Sequence, residues 1–142
     1  MHVENILQTK GVVVHTLAQT ATIADAVALL NTHNIGALVI TGHGGAVAGI
    51  LSERDVVRLL GKNPLSALDT RIDACMTKDV VTCERTTRIA DVMERMTRRR
   101  IRHMPVVEDG ALVGIISIGD VVNQKIREVE HEAEALRDYI AG

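Results

Sequence analysis

A serine and an aspartate three residues apart, preceded by a glycine and two aliphatic residues, occur twice: as Gly49-Ile-Leu-Ser52-Glu-Arg-Asp55 and as Gly114-Ile-Ile-Ser117-Ile-Gly-Asp120. A strand ending in a serine that opens a helix presents its hydroxyl and the unpaired first-turn N–H groups to an anion such as phosphate, and the helix dipole assists. An aspartate one turn further on can accept hydrogen bonds from a ribose diol. The same four residues are also a variant of the capping box, in which serine caps the first turn and the acid favours the dipole. Duplication does not separate the two readings, because a copied cap looks the same.

A second cluster is basic: Arg98-Arg-Arg-Ile-Arg102-His103-Met104-Pro105-Val-Val runs off a helix into a strand. Arg98 to Arg100 read as a solvated helix face that compensates the C-terminal dipole, or as an anion patch. Arg102 and His103 differ, since they fall at the strand entrance, near the expected start of the Ser-x-x-Asp helix. Their counterparts in the first copy are Gly36 and Ala37, so the two halves cannot bind anions equally. The six histidines show no metal-binding spacing. Gly42-His-Gly-Gly45 falls where a hairpin turn is expected and lacks the context of a phosphate loop. No Ser or Cys has a His base and an orienting acid nearby in sequence, and nothing argues for catalysis.

The elements that position these residues come from an internal repeat. Thr20-Ala-Thr-Ile-Ala-Asp-Ala-Val-Ala-Leu-Leu meets Thr86-Thr-Arg-Ile-Ala-Asp-Val-Met-Glu-Arg-Met at an offset of 66, and the two Gly-to-Asp motifs meet at an offset of 65. Each copy predicts a short β run (Val12 to Thr16; Val80 to Thr82), a helix from near Thr22 or Arg88, a strand pair (Ala37 to Thr41 with Val47 to Leu51; Met104 to Val107 with Leu112 to Ser117) and a second helix after the serine. Pro64 in Gly61-Lys-Asn-Pro-Leu-Ser ends the first copy. The halves are read as 1–73, including a short N-terminal helix with Val3, Ile6 and Leu7, and 74–142. On the C-terminal helix Val122, Ile126, Val129, Ala133, Leu136 and Ile140 are spaced 4, 3, 4, 3, 4. This heptad stripe packs on its own domain, on the N-terminal helix, or on another subunit.

Composition narrows the function classes. The 142 residues carry a net charge of -2 and are 46% apolar but only 1% aromatic, with Tyr139 the one ring of its kind and no Phe or Trp. The core is therefore aliphatic, and recognition by stacked rings, as in single-strand nucleic-acid grooves, is disfavoured. Cys75 and Cys83 match neither a redox nor a zinc pattern, which points to a reducing compartment. No basic and apolar leader and no membrane-length apolar run is present, so a cytoplasmic location is expected and no membrane partner.

The two copies of helix, strand, strand, helix carrying Gly-h-h-Ser-x-x-Asp, with Arg102-His-Met-Pro-Val in the second, resemble a tandem pair of CBS domains over about residues 9 to 125. Ile35-Gly-Ala-Leu-Val, Ser52-Glu-Arg-Asp and Ser117-Ile-Gly-Asp before a long final helix look closest to the small stand-alone bacterial pairs. The resemblance implies an α/β (α+β) fold, two β-α-β-β-α repeats packed through their sheets about a pseudo-twofold axis. It implies two clefts for adenosyl ligands, AMP first, with NAD(H), ATP, ADP and S-adenosylmethionine as others. Carried over by position, Asp55 and Asp120 meet ribose, Ser52 and Ser117 meet phosphate, and Arg102, His103 and Arg54 neutralise it. Adenine lies among Ile35, Gly36, Ala37, Ile101, Met104 and Pro105, closed by Val14 to Thr16 and Val81 to Cys83. The expected protein is a non-catalytic sensor, a homodimer acting on an unidentified regulated protein. A nucleic-acid module using Arg98 to Arg102 and a nucleotide-processing enzyme are the alternatives.

Overall fold

The computed structural model describes all 142 residues. In chain order the elements are α1 (Val3–Lys10), β1 (Thr16–Ala18), α2 (Ile23–His33), β2 (Ala37–Thr41), β3 (Val47–Ser52), α3 (Glu53–Lys62), α4 (Ile89–Arg99), β4 (His103–Glu108), β5 (Ala111–Ser117) and α5 (Ile118–Ala141). Short 3-10 turns occupy His43–Gly45, Ala67–Asp69 and Ile72–Ala74. The helix, hairpin, helix order appears twice, and the class is mixed α/β with a long last helix. The chain divides into two compact units, one of residues 13–80 with 109–112, the other of 1–12, 81–108 and 113–142.

The unit built on the first repeat has a three-stranded sheet ordered β1-β2-β3, with β1 parallel to β2 and β2 antiparallel to β3. Helix α2 starts where the sequence places it: the Thr22 hydroxyl accepts from the Asp25 N–H while Asp25 accepts from the Thr22 N–H. It ends with Asn34 in the left-handed region, φ 51°, and the Ile35 N–H donating to the Leu30 carbonyl. Its apolar stripe, Ile23 and Ala26 with Val27 and Leu30 beside them, covers Leu38, Ile40 and Leu51 of the sheet. Alternation would leave the other face of β2 to solvent, yet Val39 and Ala37 are buried as well.

The first β run is corrected. Strand pairing begins at Thr16, not Val12, and Val12 and Val13 are exposed. The valine run has strand propensity, but β2 offers its edge only to residues 16–18, and propensity without a ladder partner makes no strand. The run at Val80 to Thr82 likewise forms no strand, and pairing there shrinks to one parallel bridge between Cys83 and Val106.

Except for residues 109–112, the second unit holds the β4-β5 hairpin, which turns at Asp109 and Gly110, at φ 49° and 78°. Its core joins Ile89, Val92 and Met96 of α4 and Val121 of α5 to Met104, Val106 and Ile116 of the sheet, together with Val3, Ile6 and Leu7 of α1. The Val3 and Glu4 N–H groups donate to the Thr87 and Arg85 carbonyls. Helix α1 therefore precedes the first repeat in sequence but packs with the second, and the compact units part at Val80 and Val81 where the sequence reading divides 73 from 74. The reason is that the apolar face of α1 completes the core over β5.

Each unit seats a passing segment against its hairpin at a glycine. The residues that follow the Ile72–Ala74 turn cross β3 at Gly49, and Ile50 and Thr77 exchange backbone hydrogen bonds of 3.0 and 2.9 Å. A Cβ on Gly49 would lie 2.6 Å from Met76 Sδ and 2.8 Å from the Thr77 carbonyl oxygen. At the equivalent Gly114, a Cβ would lie 2.8 Å from Leu7 Cδ2. Gly49→Ala is expected to cost roughly 1–3 kcal/mol, the range for overpacking a core. It should cost more than Gly114→Ala, because a backbone carbonyl yields less than a leucine tip. Urea unfolding of both variants measures the difference.

Candidate functional site

Each unit presents one strand-to-helix corner, and the fourteen candidate residues divide evenly between them: Thr16, Ile35, Gly36, Ala37, Ser52, Arg54 and Asp55 in one, Ile101, Arg102, His103, Met104, Pro105, Ser117 and Asp120 in the other. The corners share one construction. The first helical N–H, of Glu53 or Ile118, donates to the carbonyl of Gly36 or Arg102, at 2.9 and 2.8 Å. This bond fixes the strand entrance against the helix start and confirms that Gly36 and Arg102 are counterparts.

Both serines are N-caps. Ser52 Oγ accepts from the Asp55 N–H and Ser117 Oγ from the Asp120 N–H, while Oδ2 of each aspartate accepts from its serine N–H at 2.9 and 2.8 Å. The capping box is thus formed in both copies, and Ser52, Asp55, Ser117 and Asp120 are all half-buried. The side chains around them differ. Ala37 pairs with Ser52 across the β2-β3 ladder, and Thr16 lies on β1 beside Val39 of β2. Arg54 and Arg102 are exposed and His103 is half-buried. Met104 is fully buried in its unit's core, so its side chain is a packing residue, and Pro105 is buried with its carbonyl accepting from the Cys83 N–H at 3.0 Å.

Lys10 is the residue the sequence reading missed. Its Nζ donates to Asp120 Oδ2 at 2.7 Å and to the Ile115 carbonyl at 3.0 Å. The signal was available: Thr9-Lys10 precedes the first repeat much as Thr77-Lys78 precedes the second. Burial raises the Asp120 carboxyl, but the hydrogen bonds from Lys10 and Ser117 and the Lys10 charge outweigh it and hold the group below its ordinary value. In the other unit His15 and His33 stack with ring centroids 3.7 Å apart.

The basic cluster is largely committed within the chain. Arg98 pairs with Glu94, Arg95 donates to the Thr82 carbonyl, and Arg100 is the left-handed C-cap of α4, with Arg98 and Arg99 in its last turn. Arg95, Arg98 and Arg99 also line an open depression of about 320 Å³ with Val81, Asp91 and Glu94, where acids offset the arginines. The thiols are unsuited to nucleophilic work. Burial pushes Cys83 up to about 12 against the opposing pull of Arg95, and burial with the charges of Asp55 and Asp73 raises Cys75.

Comparison with known proteins places these corners in a family context. The family model for the CBS domain matches residues 3–62 and 71–126. The mitochondrial CBS domain-containing protein CBSX3 of Arabidopsis thaliana is 38% identical over 125 residues, which cover 85% of this chain. The chain spans 61% of that relative's length. Among solved structures, the CBS-domain containing protein ATU1752 of Agrobacterium tumefaciens is 41% identical, with a TM-score of 0.85 over 87% of this chain and 92% of its own. The CBS domain pair of protein MJ0100, solved in complex with 5'-methylthioadenosine and S-adenosyl-L-methionine, is 25% identical, with a TM-score of 0.78 over 90% of this chain and 98% of its own.

Two outcomes follow from this geometry. Because the folded carboxyl of Asp120 titrates below its unfolded value, its contribution is present above the unfolded pKa and lost as pH falls through the folded one. Lys10→Met should therefore cost about 1 kcal/mol or less at pH 7, the scale of a partly exposed pair, and that cost should vanish when Asp120 is protonated. Urea unfolding at pH 7 and in acid reads it. Cys83 should stay unmodified by a thiol reagent at pH 8 in the folded chain and react promptly in denaturant, as mass spectrometry of its peptide would show.

Proposed function

The chain belongs to the CBS-domain family, and we propose that it is a non-catalytic adenine-nucleotide sensor whose ligand sites are the two strand-to-helix corners. The observation that carries this reading is the duplicated corner itself: a serine N-cap, a helix N-terminus and an aspartate one turn on, twice, in a chain whose relative MJ0100 was crystallised with two adenosyl compounds. The box bonds end on Oδ2, so we assign Oδ1 of Asp55 and Asp120 to the ribose hydroxyls. We assign phosphate to the second helical N–H of each corner, because the first and third N–H groups are taken by the strand carbonyl and the serine, and to the serine hydroxyls, of which that of Ser52 donates to Asp55 Oδ2 at 3.1 Å until a ligand competes for it.

AMP is the ligand we place first, with NAD(H), ATP, ADP and S-adenosylmethionine sharing the same ribose and adenine chemistry. The sites are unequal. The second carries Arg102, His103 and the Lys10 ammonium beside Asp120, whereas the first has Gly36 and Ala37 at the matching positions and relies on Arg54. The second site is therefore the stronger for a multiply charged phosphate. Ligand occupancy shifts the population of conformations that a regulated protein reads. We also assign the protein to the cytoplasm and expect a homodimer.

A thermal-shift panel with AMP, ATP, NAD+, NADH, S-adenosylmethionine and GMP tests the reading. A ligand at 100 times its Kd adds about 2.7 kcal/mol, several degrees for a chain of this size. Adenosyl compounds should stabilise selectively and GMP should not. Calorimetry should resolve two unequal sites, with Asp120→Asn weakening the tighter about tenfold or more, the scale of a hydrogen bond to a charged group. Chromatography should recover the nucleotide unchanged. No shift with any compound would leave the two boxes as helix caps only, and nucleotide turnover would favour an enzyme.

A further inference from the structure

Helix α5 is packed within its unit over only its first part. Val121 and Gln124 are buried against α1 and α4, Glu128 is half-buried, and Arg127 reaches Thr9 Oγ1 at 3.2 Å. Burial ends at Val129, and between there and Gly142 only Ala133 is even half-buried. A stretch of this length with no tertiary support is marginal as a helix in water. Yet its apolar residues form one continuous stripe with those before it: Ile126 and Val129 are 50% exposed, Leu136 60% and Ile140 75%.

The charges flanking the stripe select what covers it. With Ile126, Ala133 and Ile140 at heptad position a and Val129 and Leu136 at d, the charged g positions are Lys125 and Glu132 and the e positions are Glu130 and Arg137. In a parallel two-stranded coil each g residue faces the e residue five further along the other helix. That sets Lys125 opposite the partner's Glu130 and Glu132 opposite the partner's Arg137, and symmetry doubles both attractive pairs. An antiparallel pairing that seats Ile126 on the partner's Leu136 would instead set Glu130 against the partner's Glu130 and Glu132 against the partner's Glu132. Of the antiparallel registers one heptad to either side, one leaves Ile126 uncovered and the other leaves Leu136 and Ile140 uncovered. Lys125 now lies 3.7 Å from Glu128 on its own helix, a contact loose enough to exchange.

We propose that the stripe Ile126, Val129, Ala133, Leu136 and Ile140 is covered by the same stripe of a second copy of this chain, in a parallel two-stranded coil held in register by the Lys125–Glu130 and Glu132–Arg137 charge pairs. The inference stands apart from the ligand reading, since no residue of either corner takes part. It makes the contact isologous, with the two-fold axis along the coil.

Sedimentation velocity on the full chain, with and without substitutions, tests it. The chain should dimerise, and Leu136→Asp with Ile140→Asp should give a monomer whose melting curve is that of a folded protein, both positions being exposed. Glu132→Arg should weaken the dimer about tenfold, the scale of two exposed ion pairs turned repulsive, and adding Arg137→Glu should restore it. A Val129→Cys variant should cross-link to itself on mild oxidation, as only parallel d positions face their own kind. Monomer behaviour of the unmodified chain at high micromolar concentration would overturn the proposal and leave the stripe to a different protein. A dimer indifferent to the aspartates would overturn the surface, and a failed charge rescue would overturn the parallel register.

Discussion

The close approach of a chain segment to each hairpin at a glycine is the constraint from which the rest of this structure follows. Gly49 and Gly114 occupy the same place in the two repeats, and each admits a segment that precedes the other repeat in sequence: residues 76–77 at the first, Leu7 at the second. A side chain at either position would hold that segment off the strand. The consequence reaches the corners, because β3 and β5 end three residues beyond these glycines in Ser52 and Ser117. The glycine that seats the segment and the serine that opens the helix are therefore parts of one device.

The same insertion makes the two corners chemically different. Seating α1 on β5 brings Lys10 to Asp120 in the second corner, whereas in the first the Asp55 carboxylate acts on the Cys75 thiol and helps to raise it. The capping boxes and the bond from the first helical N–H to the strand entrance are alike in both. What separates the corners is the set of side chains delivered from outside the motif: Lys10, Arg102 and His103 at the second, against Gly36 and Ala37 at the first. A duplicated scaffold thus carries two unequal electrostatic settings without any change in backbone geometry at the corner.

The helical parts of the chain and their caps were legible in the sequence. The starts of α2, α3, α4 and α5 fall where Thr22, Ser52, Arg88 and Ser117 placed them, and Ala37–Thr41 has the expected bounds. These are local properties, since a cap bonds three residues away and an amphipathic stripe recurs every turn. The valine runs misled for the opposite reason. Val12 to Thr16 and Val80 to Thr82 have strand-forming residues, but whether a ladder forms depends on the edge of a strand more than twenty residues off.

Sequence alone determined the duplication, the aliphatic core, the paired corners and the apolar seam of α5, because each is written as a pattern of residue types at fixed short spacing. Tertiary structure alone decided that α1 joins the second repeat, that Lys10 meets Asp120 across 110 positions of chain, that Met104 is core, and that the seam from Ile126 onward is left uncovered by its own unit. A cation on a helix end carries no local mark of the carboxylate it will find. Its partner is set only when burial of Val3, Ile6 and Leu7 brings that helix down on β5.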